Sequence, residues 1–186
     1  MFPFLQEKQL EAFDVIEIYP EHFESKIGFD GIRRLIGDKC LSLPGKERVE
    51  AMSFSVSETV ISTQLEQTDE FMRILRSGCE FPSGHFTDMR PSLLRIRPEG
   101  TYLEEQELFD LLRSLQTVQR IVHFFHAARA DDETPCPTLT TLADHAPVFP
   151  AIIRQTEAIL DKYGRIKDQA SPELTRIRRE ITATVG

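Results

Sequence analysis

The 186-residue sequence has only three cysteines, no long apolar run and a shortage of positive charge. Cys40, Cys79 and Cys136 are odd in number, far apart and never in a C-x-x-C pair. That usage fits free thiols in a reducing cytoplasm better than a disulfide framework or a zinc site. No segment approaches eighteen consecutive apolar residues, and the start, MFPFLQEKQL, lacks a basic region followed by an apolar run. Neither a membrane span nor secretion is indicated, and a cytoplasmic location is expected. The formal net charge of -8 repels a polyphosphate. It is unevenly placed, with 16 basic and 26 acidic residues up to Leu160 but 6 and 4 from Asp161 onward. Only the last stretch tolerates nucleic acid, and on charge alone an ordinary solvated helix face is the simpler explanation of that pattern.

Catalytic signatures are missing too. No G-x-S-x-G, H-E-x-x-H, G-x-G-x-x-G or phosphate-loop pattern occurs. Gly45-Lys46 is not a phosphate loop, because no glycine stands five residues earlier and no Ser or Thr follows the lysine. His123 and His126 lie one turn apart and could join Cys136 or His145 on a metal, but histidine near a helix end more simply partners the last carbonyls. Paired acids such as Glu104 and Glu105, or Asp131 and Asp132, read as solvated surface rather than a general acid and base. No metal ligand, cofactor ligand or catalytic residue is assigned, and the chain is not expected to be an enzyme.

What is present is helical periodicity. Leu103 to Arg129 places Leu108, Leu111, Leu112, Leu115, Val118, Val122 and Phe125 at helical spacing. Asp110, Arg113, Gln116 and Gln119 occupy the other side, and acids at the start and bases at the end suit the helix dipole. The start is either Thr101, with Glu104 completing a capping box, or one turn later. Short helices are expected from Asp30, as N-cap, to Cys40 and from Pro44 onward. A longer one is expected over Ser57 to Ser77, capped by Ser55 or Ser57 and stopped by Gly78. Further pieces are an Asp88-capped turn of helix carrying Pro91, then Leu139 to Ala146 and Phe149 to Leu160. Residues 159–167, around Tyr163-Gly164, are the one place for a small β-hairpin. Residues 1–18 read as a poorly ordered extension, 19–170 as an all-α core domain and 171–186 as the start of a longer helix.

That final helix is strongly signalled. Ser171 is a hydroxyl N-cap, Pro172 fits the first helical position and Glu173 suits the first turn. Leu174, Ile177, Ile181 and Val185 then form a coiled-coil-like seam with Arg176, Arg178 and Arg179 turned mostly away from it. The seam still runs at the last residues, so the helix is expected to continue in a longer protein. Lys162, Arg165 and Lys167 precede it, and these six cations are the candidate nucleic-acid contacts. Aromatic residues for base stacking are almost absent around them, so base readout is not expected.

The string DQASPELTRIRREI, with the Tyr163-Gly164 turn before it, closely resembles the segment where the amino-terminal core of type-two MutS proteins passes into its lever helix. Further resemblances run in order upstream: FDGIRRLI, KCLSLPGKERVE, LEQTDEFMRIL, PSGHFTDMRPSLLRI and EGTYLEEQELFDLL. They cover about residues 19 to 186. Glu104 and Glu105 depart from the family's usual Ser-Pro helix start, which leaves only that cap in question. The resemblance implies the first half of an all-helical core plus the root of a lever, noncatalytic alone. In the family this region couples a dimerising ATPase, with ATP and Mg, to a clamp on nucleic acid. A small MutS-related endonuclease domain usually follows. It implies suppression of homologous recombination through branched DNA, or ribosome rescue through ribosomal RNA, with the rest of the polypeptide and a second full-length copy as partners. The alternative is a stand-alone protein-interaction module using the final seam. If the second half of such a core normally covers part of it, an apolar patch beyond the few hundred Å² usual for monomers is expected at the surface.

Overall fold

The computed structural model describes residues 21–129 and 136–185, the side chains of residues 128, 129 and 185 excepted. The expected extension over 1–18 and the acidic loop at 130–135 lie outside the described residues. Nine helices and no strand occur among the described residues, an all-α architecture. The chain divides into two compact units.

The first unit, described from residue 21, carries α1 (Phe23–Lys26), α2 (Phe29–Gly37) and the body of α3 (Leu43–Glu50). Asp30 is not the cap of α2. Gly28 is, at φ 79, because the turn out of α1 needs a left-handed residue there, which glycine adopts without steric cost. Asp30, in the first turn, instead accepts from Ser25 Oγ at 2.5 Å and from Arg33 at 2.9 Å. Arg33 also reaches Glu24 at 2.5 Å and the Met52 carbonyl at 2.8 Å, and lies 4.9 Å from the Phe29 ring centre. α2 ends at Gly37 and buries none of its residues, so Ile32, Leu35 and Ile36 stand exposed.

The second unit is built on α6 (Glu105–Arg129), about 37 Å long at 1.5 Å per residue. Its start resolves to the later of the two readings. Thr101 donates its hydroxyl to the Pro98 carbonyl at 2.6 Å, while the Glu107 carboxylate takes the Glu104 N–H at 2.9 Å. Glu107 thus supplies the reciprocal half of a capping box. The same carboxylate accepts from Ser92 Oγ at 2.7 Å and from Arg95, which ties α5 (Arg90–Arg95) to α6. These donors, the Glu104 N–H first, hold the Glu107 carboxyl down at about 2. Asp88 does not cap α5; Met89 holds that position, and Asp88 accepts from the Arg90 N–H at 3.1 Å and pairs with its guanidinium.

α7 (Pro137–Asp144) and α8 (Pro150–Ile159) pack on α6, and α4 (Glu58–Arg76) packs on α7. α4 is capped by Ser57 through the Val60 N–H and is followed by Gly78 at φ 75, as its sequence predicts. One core joins Ile74 of α4, Phe125 of α6, Cys136 and Ala143 of α7. Around it Phe71, Phe81 and Phe124 meet edge to face at 5.0 to 5.4 Å. A second core joins Leu112 of α6 with Ile153 and Leu160 at the α8 end, flanked by Leu108, Phe109 and Leu115. The charged side expected for α6 is not solvated over most of its length: Asp110, Arg113, Gln116 and Gln119 are half-buried and Thr117 is fully buried. Gln116 donates to Glu157 of α8 at 2.8 Å, and the loop at Gly84 presses onto Thr117 so closely that a Cβ there would collide with its hydroxyl. A helix enclosed on several sides needs small or paired polar residues on its less apolar face.

Glu70 is the other departure. It is 3% exposed, yet its two carboxylate oxygens accept from the N–H groups of Thr138 at 3.0 Å and Leu139 at 2.8 Å. A carboxylate from α4 therefore caps the N-terminus of α7, where a negative charge is favoured.

Candidate nucleic-acid interface

The six candidate cations lie on the turn after α8 and on α9 (Pro172–Val185), and the residues between them fix their positions. The chain leaves α8 through an antiparallel bridge, Leu160 to Ile166, with the Asp161 N–H on the Arg165 carbonyl at 2.8 Å and the Lys167 N–H on the Ile159 carbonyl at 2.9 Å. The expected hairpin shrinks to this single bridge, because the Asp161 side chain closes the loop as an Asx turn. Its Oδ1 accepts from the N–H groups of Tyr163 and Arg165 at 2.8 and 2.9 Å. The Arg165 N–H, first, and the Tyr163 N–H hold the Asp161 carboxyl below the usual carboxylate range. Gly164 has φ 83 and lies under Phe109, so a Cβ there would sit 2.6 Å from the ring. The Glu105 carboxylate takes the Ile166 N–H at 2.6 Å and fastens the turn to the start of α6.

α9 begins as its sequence predicts, with the Leu174 N–H on Ser171 Oγ at 3.1 Å and Pro172 first in the helix. The Thr175 hydroxyl, donating to the Asp168 carbonyl at 2.9 Å, and an Arg178 to Asp168 ion pair hold it to the preceding loop. Among the described residues no other helix packs along it, none of its own is buried, and Ile177 and Ile181 are 41% and 58% exposed.

The cations fall into two sets. Lys167 points its ammonium at the Glu157 carbonyl at 2.5 Å, and Arg178 is held by Asp168 and, at 3.5 Å, by the Ile166 carbonyl. With Arg165 they line an open cleft of about 620 Å³ that also presents Glu105, Asp161 and Asp168. Three cations face three carboxylates, so this cleft exerts no net pull on a phosphate. Lys162 and Arg165 are exposed at the turn, Lys162 lying 4.9 Å from the Tyr163 ring centre. Arg176 and Arg179, three residues apart, share the face of α9 away from the seam. Arg176 reaches Glu180 only at 3.6 Å, and Arg179 makes no ion pair among the described residues. The sequence reading missed that Asp168 pairs with Arg178, while the Asp161 carboxylate accepts from backbone N–H groups and adds its charge beside Arg165. Asp168 stands ten residues before Arg178, so spacing along the chain does not signal the pair.

The other candidates are dispersed. His126 Nε2 pairs with Asp144 at 2.8 Å and His145 Nδ1 with the Thr141 carbonyl of its own helix at 2.7 Å. Among the described residues no cluster of histidine, cysteine and carboxylate has metal-binding geometry. Cys40, Cys79 and Cys136 are free thiols, and burial chiefly pushes the Cys136 thiol up. No described helix is long and apolar enough to cross a membrane.

Fold and site define a helical core bearing a projecting helix with one apolar and one cationic face. No family model matches the chain. Among curated proteins it is 28% identical over 156 residues to the Endonuclease MutS2 of Geobacillus sp. (strain WCH70), covering 84% of this chain and 20% of that protein. It is 28% identical over 155 residues to the Endonuclease MutS2 of Lactobacillus acidophilus, covering 83% and 19%. With that of Alkaliphilus metalliredigens it shares 30% identity over 146 residues, covering 78% and 18%. The chain is related to the type-two MutS proteins, and it spans about one fifth of the length of the curated relatives it matches.

Proposed function

We propose that this chain serves as the amino-terminal core and lever root of a type-two MutS machine. In this reading α6 and its neighbours are the rigid base, and α9 carries motion between an ATPase elsewhere in such a protein and a nucleic-acid clamp. The chain itself does no chemistry. ATP, Mg and any endonuclease activity belong to other segments of the parent, which acts in the cytoplasm as a homodimer. Its substrate is branched DNA, in suppressing recombination, or ribosomal RNA, in ribosome rescue. The observation that carries the reading is α9: a well-capped helix that leaves the core with its apolar seam uncovered.

The exposed cations outside that charge-balanced cleft, Lys162, Arg176 and Arg179, support weak phosphate contact only. Binding of a four-way DNA junction and of a structured ribosomal RNA fragment, measured by anisotropy against salt, tests this. The expected result is weak binding near 50 mM salt with a log-log slope no steeper than about -4, abolished by Arg176→Glu with Arg179→Glu. No binding at low salt would remove nucleic acid from the proposal. The same bare seam favours the second reading, a protein-interaction module. There Ile177→Asp and Ile181→Asp would abolish partner capture while the arginine variants leave it intact.

A further inference from the structure

α4 is attached differently from the other long helix. Its leading half, Glu58 to Leu65, is exposed apart from the half-buried Val60, and Ile61, Leu65, Met72 and Leu75 stay in solvent along its length. Only Glu70 and Ile74 are buried, and its main helix partner is α7. The attachment therefore comes down to one turn. Ile74 enters the phenylalanine core beside Phe71, and Glu70 closes onto the Thr138 and Leu139 N–H groups. Cys136, 2% exposed, shares that core with Ile74. α6 is tied instead through two cores and to both α7 and α8.

We propose that α4 is a detachable arm, which swings off α6 and α7 as a unit while the α6 to α8 core stays folded, with the Glu70 carboxylate as the clasp. Local opening is drawn from elements with few buried apolar contacts, and a clasp of two charge-assisted hydrogen bonds is lost as one event when the carboxylate leaves. Opening uncovers the Cys136 thiol, which gives the motion a direct readout. The inference rests on packing and is independent of any nucleic-acid role.

The experiment is alkylation of the native full chain with iodoacetamide in increasing urea, below the unfolding transition. Peptide-resolved mass spectrometry separates Cys136 from the more accessible Cys40 and Cys79. In the wild type, Cys136 should label through an opening whose urea dependence is clearly shallower than that of global unfolding, while α6 amides remain protected from hydrogen exchange. Glu70→Gln and Glu70→Ala should speed Cys136 labelling roughly 10- to 100-fold with α6 protection changing much less. Labelling with the full slope of global unfolding would overturn the arm, and the wild type alone decides that. Rates unchanged by either Glu70 variant, or rising in step with loss of α6 protection, would overturn the clasp.

Discussion

α6 and α9 carry similar apolar periodicity and meet opposite fates. In α6, Leu112, Val122 and Phe125 are buried, and even its polar positions Gln116 and Thr117 are drawn in against α8 and the Gly84 loop. In α9, Ile177 and Ile181 face solvent, and among the described residues the helix is held to the rest by Ser171, Thr175 and Arg178. A seam in a sequence states that a helix needs a partner; it does not say the partner lies in the same stretch of chain. A helix of α9's 14 residues is marginal in water without packing, so its apolar face marks a surface awaiting cover.

The contrast can be broken most severely from the α6 side. Phe125→Ala empties the phenylalanine core and should cost about 3–5 kcal/mol, read as a fall in the urea midpoint at unchanged slope. Gly164→Ala attacks the other core through the turn. With a φ of 83 and a Cβ 2.6 Å from Phe109, it should cost roughly 2–4 kcal/mol. If it melted like wild type, the turn would not be seated on α6 as described.

Acid sharpens the comparison at the α6 start. The Glu107 carboxyl is depressed to about 2 by the Glu104 N–H, Ser92 and Arg95. Its stabilising contribution is therefore fully present above the unfolded value of about 4.5 and is lost as pH falls toward 2. Glu107→Gln should be less stable at neutral pH and should flatten the stability-against-pH curve between those values. A curve parallel to wild type would contradict the assignment. The smallest effects belong to α9: Ile177→Ser and Ile181→Ser should each shift stability of the chain alone by no more than about 0.5 kcal/mol. An effect comparable to Phe125→Ala would mean the seam is already covered.

Much of this was legible in the sequence, for identifiable reasons. Local chemistry narrowed the α4 cap to Ser55 or Ser57, of which Ser57 holds it, and placed Gly78 as a stop and Ser171-Pro172-Glu173 as a start, since each acts within four residues. Asp30 and Asp88 misled because each is a good cap by type, while Gly28 and Met89 hold the cap positions and both carboxylates pair with arginines. Glu70 was invisible for a different reason: its partners are 68 and 69 residues away, and nothing in its neighbourhood distinguishes a buried cap from a solvated acid. The candidate site was half legible. The cations are legible by residue type, but Asp168 answering Arg178 and the Glu157 carbonyl answering Lys167 depend on how the turn folds back.

The central claim is that the chain holds a packed base and a helix left bare for a partner. Residue-resolved hydrogen exchange on the chain alone tests it most directly. Amides in the middle of α6, around Leu112 to Val122, should be protected to nearly the global stability, while those of α9 beyond Thr175 should exchange at close to unprotected rates. Protection of α9 equal to that of α6 would contradict the account, because it would show that the seam is already covered.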